Sequence, residues 1–92
     1  MTYHLDKIEK GVYGELSKVQ EEILEALDAK KQDCELMVLI ELSDAIGAIE
    51  AYLEKHHPSI TLESLIKMSK ITKRAFTSGH RQPKHNIDEN NN

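Results

Sequence analysis

The sequence predicts an all-α fold, an antiparallel bundle of three main helices plus a possible short N-terminal helix. In three successive segments, apolar residues recur at steps of three and four, the spacing of one helix face. β-Branched residues show no sustained alternation, which argues against strands. The two prolines, Pro58 and Pro83, both lie outside these helical patterns. Because so short a chain builds a small core, oligomerisation is expected to complete the bundle.

The first half of the chain contains the short helix and the first main helix. Residues 3–10 are compatible with a weak helical turn. The first main helix is expected over residues 14–29, and the lysine pair that follows, Lys30 and Lys31, suits the negative end of its dipole. Its apolar stripe consists of Leu16, Val19, Ile23 and Leu27.

The second helix is expected over residues 34–55, with Asp33 as its N-cap and an end before Pro58. One face carries Leu39, Leu42, Ile46, Ile49 and Leu53. The opposite face carries Leu36, Met37, Ile40, Gly47, Ala48 and Ala51. A helix that is apolar nearly all round is buried on most sides. It is therefore expected to form the centre of the fold and to contact a second subunit.

The third helix is expected to begin after Thr61, a good N-cap, and to end before Gly79. Its stripe consists of Leu62, Leu65, Met68, Thr72 and Phe76. Residues 1–79 are thus expected to form one domain. Residues 80–92 are polar and are expected to be a disordered tail.

Composition narrows the class of protein. Sixteen acidic residues against twelve lysines and arginines give a net charge of -4, which argues against a general nucleic-acid binder. Cys34 is the only cysteine, so neither an intrachain disulfide nor a cysteine zinc site is expected. No apolar run resembles a signal peptide or approaches the roughly 20 residues of a membrane span. The predicted location is the cytoplasm, away from any membrane.

Two acidic pairs are the candidate site. Glu22 and Glu25 lie three residues apart on the first helix, and Glu41 and Asp44 lie three apart on the second. Residues at that spacing share a helix face. A short turn makes successive helices antiparallel neighbours, so the two pairs are expected to face one another.

The surroundings of these acids favour a bound cation. On a helical wheel, Glu41 and Asp44 have small or apolar neighbours, among them Met37, Ala45 and Ala48. Buried carboxylates need a counter-charge or a proton, and neither helix supplies enough lysine or arginine on that face. An all-oxygen ligand set selects a hard cation, Mg²⁺ first and Mn²⁺ second. The alternative is that these acids are solvated charges on amphipathic helices.

Residues 18–25, Lys-Val-Gln-Glu-Glu-Ile-Leu-Glu, and residues 41–46, Glu-Leu-Ser-Asp-Ala-Ile, resemble the MazG-like all-α nucleoside triphosphate pyrophosphohydrolases. The signature of that family is Glu-x-x-Glu, a variable spacer, then Glu-x-x-Asp. The resemblance covers roughly residues 14–79. Residues 70–76 are similar to the basic segment that follows in many members, and residues 74–81 are similar to small phage-encoded members.

The resemblance implies Mg²⁺-dependent cleavage of a (deoxy)nucleoside triphosphate to the monophosphate and pyrophosphate, by a homodimer or homotetramer. It makes the two acidic pairs metal ligands. It also implies that Glu21, beside the first ligand, binds a second metal or positions the attacking water. No base-recognition set is identified by the resemblance. Position alone offers four candidates for that role, namely Tyr3, His4, Tyr13 and Gln20.

Lys67, Lys70 and Arg74 form a basic stripe on the third helix, opposite its apolar face. They are candidates for contacts with the triphosphate in a site shared between subunits. Alternatively, they form a solvated face that keeps the helix soluble. The competing function is a non-catalytic helical oligomer that binds a protein partner or senses a nucleotide. In that interpretation the acids are surface charge, or form interface ion pairs with this stripe.

Overall fold

Three α-helices make up the computed structural model over the residues it describes, 4–77. They are α1 (Leu16–Lys31), α2 (Glu35–His56) and α3 (Leu62–Thr77). No strand occurs between residues 4 and 77, so the prediction of an all-α fold is confirmed. The predicted bounds of the first two helices differ from the observed ones by at most two residues. The predicted tail, residues 80–92, lies outside the described residues.

The turn between α1 and α2 differs from the prediction at Asp33. Asp33 has a φ of 59°, in the left-handed region that aspartate tolerates better than most residues. Its N–H donates to the Lys30 carbonyl at 2.9 Å, so Asp33 closes the end of α1. Cys34 occupies the N-cap of α2, without a side-chain capping bond. The prediction of Asp33 as the N-cap is therefore wrong.

Alanines form the contact between α1 and α2. The buried apolar residues in this part of the chain are Ala26 and Ala29 of α1 and Ala45, Ala48, Ala51 and Leu53 of α2. Side chains this small allow two helices to approach closely. Glu15, just before α1, bonds Lys55 and His56 at the end of α2, which shows that the helices are antiparallel.

The large aliphatic side chains of α1 point away from α2. Leu16, Ile23 and Leu27 are 60%, 41% and 56% exposed. The apolar stripe of α1 is therefore not the face that packs on α2, because the alanine face packs there instead. On α2, Leu36 and Leu39 are likewise 70% and 62% exposed. Within one chain, α2 is thus buried along one face and not on most sides.

Residues 4–15, hereafter the N-terminal strap, are held by buried carboxylates of α1. Asp28 accepts hydrogen bonds from the backbone N–H groups of Leu5 at 2.9 Å and Asp6 at 2.8 Å. Glu21 accepts one from the N–H of Gly11 at 2.9 Å. No helical turn forms over residues 4–10, because these amides bond side chains instead of carbonyls one turn away. The short helix expected there is absent from the described residues.

Two glycines let the strap join α1. A Cβ atom on Gly11 would lie 2.2 Å from the Ser17 carbonyl oxygen, so only glycine allows this close approach. Gly14 has a φ of 89°, a conformation that other residues rarely adopt. The strap path therefore depends on glycine at both positions.

Replacing Asp28 with asparagine is expected to release the first part of the strap. The amide would present an N–H₂ group to a backbone donor, so one of the two strap bonds would be lost. Amide hydrogen exchange at Leu5 and Asp6 should become at least about tenfold faster. Asp33→Asn, at an exposed site, is the matched control. Unchanged protection in Asp28→Asn would show that the carboxylate does not hold the strap.

The chain divides into two compact units, Met1–Leu62 and Glu63–Asn92. The prediction of one domain over residues 1–79 stays a prediction. α3, which belongs to the second unit apart from Leu62, contains no buried residue. Of its predicted stripe, Leu62, Leu65 and Thr72 are half-buried, whereas Met68 and Phe76 are exposed. None of the helices between residues 4 and 77 combines the length and apolar character of a membrane span.

Candidate metal centre

The two predicted acidic pairs meet between α1 and α2. Glu22 and Glu41 are buried, with 6% and 1% of their surface exposed; Glu25 is half-buried and Asp44 is exposed. One carboxylate oxygen each from Glu22, Glu41 and Asp44 lies within 4.8 Å of the other two. Glu21, Glu22 and Glu25 form a second such group. The structure therefore brings the four predicted ligands together, with Glu21 beside them.

The alanine contact places these acids. Glu22, Ala26 and Ala29 are four and three residues apart, so they share the face of α1 that meets α2. Glu41, Ala45 and Ala48 share a face of α2 in the same way. Because the alanines draw the two helices close, the acids on the same faces are forced together. Glu25 is half-buried and interacts with Glu41 of α2, and Asp44 is the most exposed of the four.

Lys18 supplies a counter-charge that the sequence interpretation missed. Its ammonium lies 3.1 Å from Glu21 Oε1 and 3.2 Å from Glu22 Oε2. Burial alone would raise the pKa of Glu21, but the Gly11 N–H and Lys18 outweigh burial and lower that pKa. The signal was present in the spacing, since Lys18 precedes these acids by three and four residues. The expectation that neither helix supplies enough lysine or arginine on that face is therefore wrong for Glu21 and Glu22, which Lys18 contacts.

Lys18 does not neutralise the rest of the cluster. Burial, the neighbouring Glu41 carboxylate and the charge of Glu22 raise the pKa of Glu25 to about 8. Burial also raises the pKa of Glu22, although Lys18 opposes the shift. One oxygen of Glu22, Oε1, is buried without a hydrogen-bond partner. A buried oxygen of this kind calls for a proton or a cation.

His4 and Asp28 extend the site beneath the strap. His4 Nε2 lies 3.8 Å from Glu25 Oε2, and His4 Nδ1 lies 3.8 Å from Asp28 Oδ2. Burial would raise the pKa of Asp28, but hydrogen bonds from Leu5, Asp6 and Gln32 lower it to about 2. Asp28 was not predicted. Its position three residues after Glu25 continues the acidic face and could have indicated it.

Two clefts flank the cluster. One, of about 300 Å³, is lined by Tyr13, Lys18, Glu22, Ser43, Asp44, Gly47 and Ala48. The other, of about 320 Å³, is lined by His4, Asp6, Lys7, Ile8, Lys10, Glu21 and Glu25. Of the candidates for base recognition, Tyr13 and His4 thus lie at the site, Gln20 is exposed on α1, and Tyr3 lies outside the described residues.

The predicted phosphate contacts lie on α3. Lys67, Lys70 and Arg74 are all exposed there, three and four residues apart on one stripe. Their part in binding a triphosphate stays a prediction. So does the role of Glu21 with a second metal or the attacking water, although its Oε1 already accepts from Gly11 and Lys18.

The cluster fits a hard divalent cation. Its donors are carboxylate oxygens, the ligands that Mg²⁺ and Mn²⁺ accept. The unpartnered Glu22 Oε1 is a ligand atom available without breaking any hydrogen bond. Asp44 is exposed and lines the first cleft, so the remaining coordination positions can open toward water or a substrate.

Comparison of the chain with protein-family models, with curated proteins and with solved structures finds no match.

Proposed function

We propose that this chain is a Mg²⁺- or Mn²⁺-dependent nucleoside triphosphate pyrophosphohydrolase, with Glu22, Glu25, Glu41 and Asp44 as metal ligands. The observation that carries the proposal is the convergence of these carboxylates on the alanine contact of two helices. Burying like charges there opposes folding, because each carboxylate loses hydration. A bound cation would offset that loss of hydration. The alternative, that these acids are solvated surface charge, does not explain why they are buried.

A divalent cation at this centre would neutralise phosphate charge and lower the pKa of a bound water. The chain supplies the remaining groups around the first cleft. Lys18 lines it and offers an ammonium to a phosphate oxygen. Tyr13 also lines it and is 73% exposed, so its ring is available to stack on a nucleobase. Glu21 lies at the edge of the cluster, where it positions the attacking water.

The active species is a homodimer or homotetramer in the cytoplasm. The exposed leucines and isoleucines of α1 and α2 support this, because so many large apolar side chains in water favour association. The same side chains would be covered in the competing function, a non-catalytic oligomer. Association therefore does not distinguish the two functions, whereas hydrolysis does.

Leu39→Glu is expected to dissociate the oligomer. Leu39 is 62% exposed on α2, so a charge there leaves the α1–α2 contact intact but opposes burial against a second chain. The molar mass from light scattering should fall to about that of one chain, 10.5 kDa. Glu50→Gln, exposed on the same helix, should keep the wild-type mass. An unchanged mass for Leu39→Glu would show that this surface of α2 is not part of the subunit interface.

The enzymatic proposal is tested with a panel of nucleoside and deoxynucleoside triphosphates. The full chain is incubated with each, in Mg²⁺ or in chelator, and pyrophosphate and monophosphate are measured. Release of both products from at least one substrate, only with metal, is expected. If no substrate gives metal-dependent release, the enzyme proposal is overturned and the non-catalytic oligomer replaces it.

A further inference from the structure

We propose that His4 is a nitrogen ligand of this metal centre, and that the centre consequently binds a first-row transition ion such as Mn²⁺ more tightly than Mg²⁺. The inference rests on the proposed carboxylate centre and adds a ligand from outside the two helices. A ligand atom of His4 lies within 4.8 Å of carboxylate oxygens of Glu25 and Glu41. Glu41 also belongs to the group with Glu22 and Asp44, so the imidazole adjoins the same site.

Asp28 lies beside the imidazole of His4, on the side away from Glu25. Histidines that bind metals usually direct their second ring nitrogen to a carboxylate or carbonyl, which fixes the ring. His4 Nδ1 lies 3.8 Å from Asp28 Oδ2, while Nε2 is on the side of Glu25. Asp28 is itself fixed, because it accepts hydrogen bonds from Leu5, Asp6 and Gln32. His4 thus lies between the Asp28 carboxylate and the carboxylate cluster. At 3.8 Å the Nδ1–Oδ2 distance exceeds a hydrogen bond, so the ring must shift slightly toward Asp28 when Nε2 binds a metal.

The strap fixes where His4 lies. Leu5 and Asp6, the next two residues, bond Asp28 through their backbone N–H groups. The Lys31 ammonium also bonds the Asp6 carboxylate. These contacts hold the His4 side chain mostly out of water, with 16% of it exposed. Little conformational entropy remains to be lost when the imidazole binds a metal.

A separate observation indicates that a cation would complete the carboxylate cluster. Glu22 is 6% exposed, and its Oε1 is buried without a hydrogen-bond partner. Glu22 belongs to both all-carboxylate groups of the cluster. A cation shared by these groups would satisfy that oxygen and lie beside the imidazole.

The donor set decides the preference among cations. Mg²⁺ strongly prefers oxygen ligands, whereas imidazole nitrogen suits first-row transition ions such as Fe²⁺, Ni²⁺ and Zn²⁺; Mn²⁺, at the weak end of that series, also binds well to oxygen. A mixed set of carboxylates and one imidazole therefore gains affinity for a transition ion more than for Mg²⁺. Removing the imidazole should reduce that preference without removing the carboxylate centre.

The experiment uses the full chain loaded with Mn²⁺, whose electron spin echo is modulated by a directly bound nitrogen. A ¹⁴N modulation is expected in the wild type and should be absent in His4→Gln. Mn²⁺ affinity should fall at least about tenfold in that variant, and Mg²⁺ affinity about twofold or less. The matched control is His57→Gln. His57 is exposed and directly follows α2, so this variant should retain the modulation.

Each other outcome has a definite meaning. Mn²⁺ binding without nitrogen modulation, or with the same modulation in His4→Gln, overturns the role of His4 and leaves the carboxylate centre intact. Absence of any Mn²⁺ or Mg²⁺ binding overturns the centre itself. If His4→Gln fails to fold, His4→Asn takes its place, and wild-type protein labelled with ¹⁵N-histidine is measured beside it. A histidine ligand changes the modulation to that of ¹⁵N, and an unchanged signal overturns the inference.

Discussion

Glu41→Gln is expected to abolish metal-dependent pyrophosphate release and leave the helical content unchanged. Glu41 is the most deeply buried of the four acids, at 1% exposure, and belongs to two of the three possible ligand groups. Glutamine keeps its shape but removes the charge that a divalent cation needs. A loss of at least about 100-fold in kcat/KM, roughly 3 kcal/mol of transition-state stabilisation, is expected.

Asp44→Asn should have a similar effect, although Asp44 is exposed. Glu50→Gln is the control, since it removes an exposed acid from the same helix. Pyrophosphate assays and far-ultraviolet circular dichroism give the two readouts. Activity within about twofold of wild type in Glu41→Gln would contradict a ligand role. Loss of helicity would assign Glu41 to the fold instead.

The metal-free protein is expected to become less stable as the pH rises from about 5 to about 8. Glu25 has a pKa of 4.5 when unperturbed and about 8 in the folded chain. A carboxyl whose pKa is raised by folding stabilises the protein fully below the unfolded value, and the contribution is lost as pH approaches the folded value. The raised pKa of Glu22 acts in the same direction. The loss should be on the order of 3 kcal/mol, allowing for the partial exposure of Glu25.

Asp28 acts in the opposite direction at lower pH. Its pKa is lowered from 3.8 to about 2, so the stabilisation it gives is present above the unfolded value and lost as pH falls toward 2. Stability in chelator should therefore peak near pH 4 to 5. Thermal midpoints measured across this range test the profile.

Glu25→Gln and Mg²⁺ are the informative comparisons for that profile. The variant should flatten the loss between pH 5 and 8, because glutamine does not ionise. Mg²⁺ should raise the midpoint most at pH 8, where the ligands have lost their protons. A metal-free protein more stable at pH 8 than at pH 5 would contradict the raised pKa of Glu25.

The sequence was sufficient to predict the helices, because the spacing of apolar residues and the charged residues at helix ends are local signals. Lys30 and Lys31 at the end of α1 and Glu35 at the start of α2 lie where the helix dipole favours them. The convergence of the two acidic pairs was also predictable. It requires only a three-residue spacing on each helix and a short turn between them.

The buried face of α1 was not predictable from hydrophobicity. Leu16, Ile23 and Leu27 form the more apolar stripe, and a helical wheel favours burying it. The chain instead buries Ala26 and Ala29 together with the acids. Alanines permit a close approach of two helices that leucines would prevent, a preference that depends on the partner helix. The exposed leucines then remain available to another chain.

The hydrogen bonds that hold the N-terminal strap could not be predicted from local sequence patterns, for a different reason. The bond from Leu5 to Asp28 joins residues 23 apart, and it pairs a backbone N–H with a side chain. No residue preference identifies which amide will donate. His4 was named only by position, and its place between Asp28 and Glu25 depends on these bonds.

The most direct test of the metal centre is calorimetric titration of the metal-free full chain with Mn²⁺ at pH 7, in buffers of different ionisation enthalpy. At least one ion should bind per chain and release about one proton, because Glu25, with a pKa of about 8, carries a proton at that pH and must lose it to bind a cation. Glu41→Gln should abolish both the binding and the proton release. Absence of binding in the wild type, or binding that Glu41→Gln leaves unchanged, would contradict a metal centre between α1 and α2.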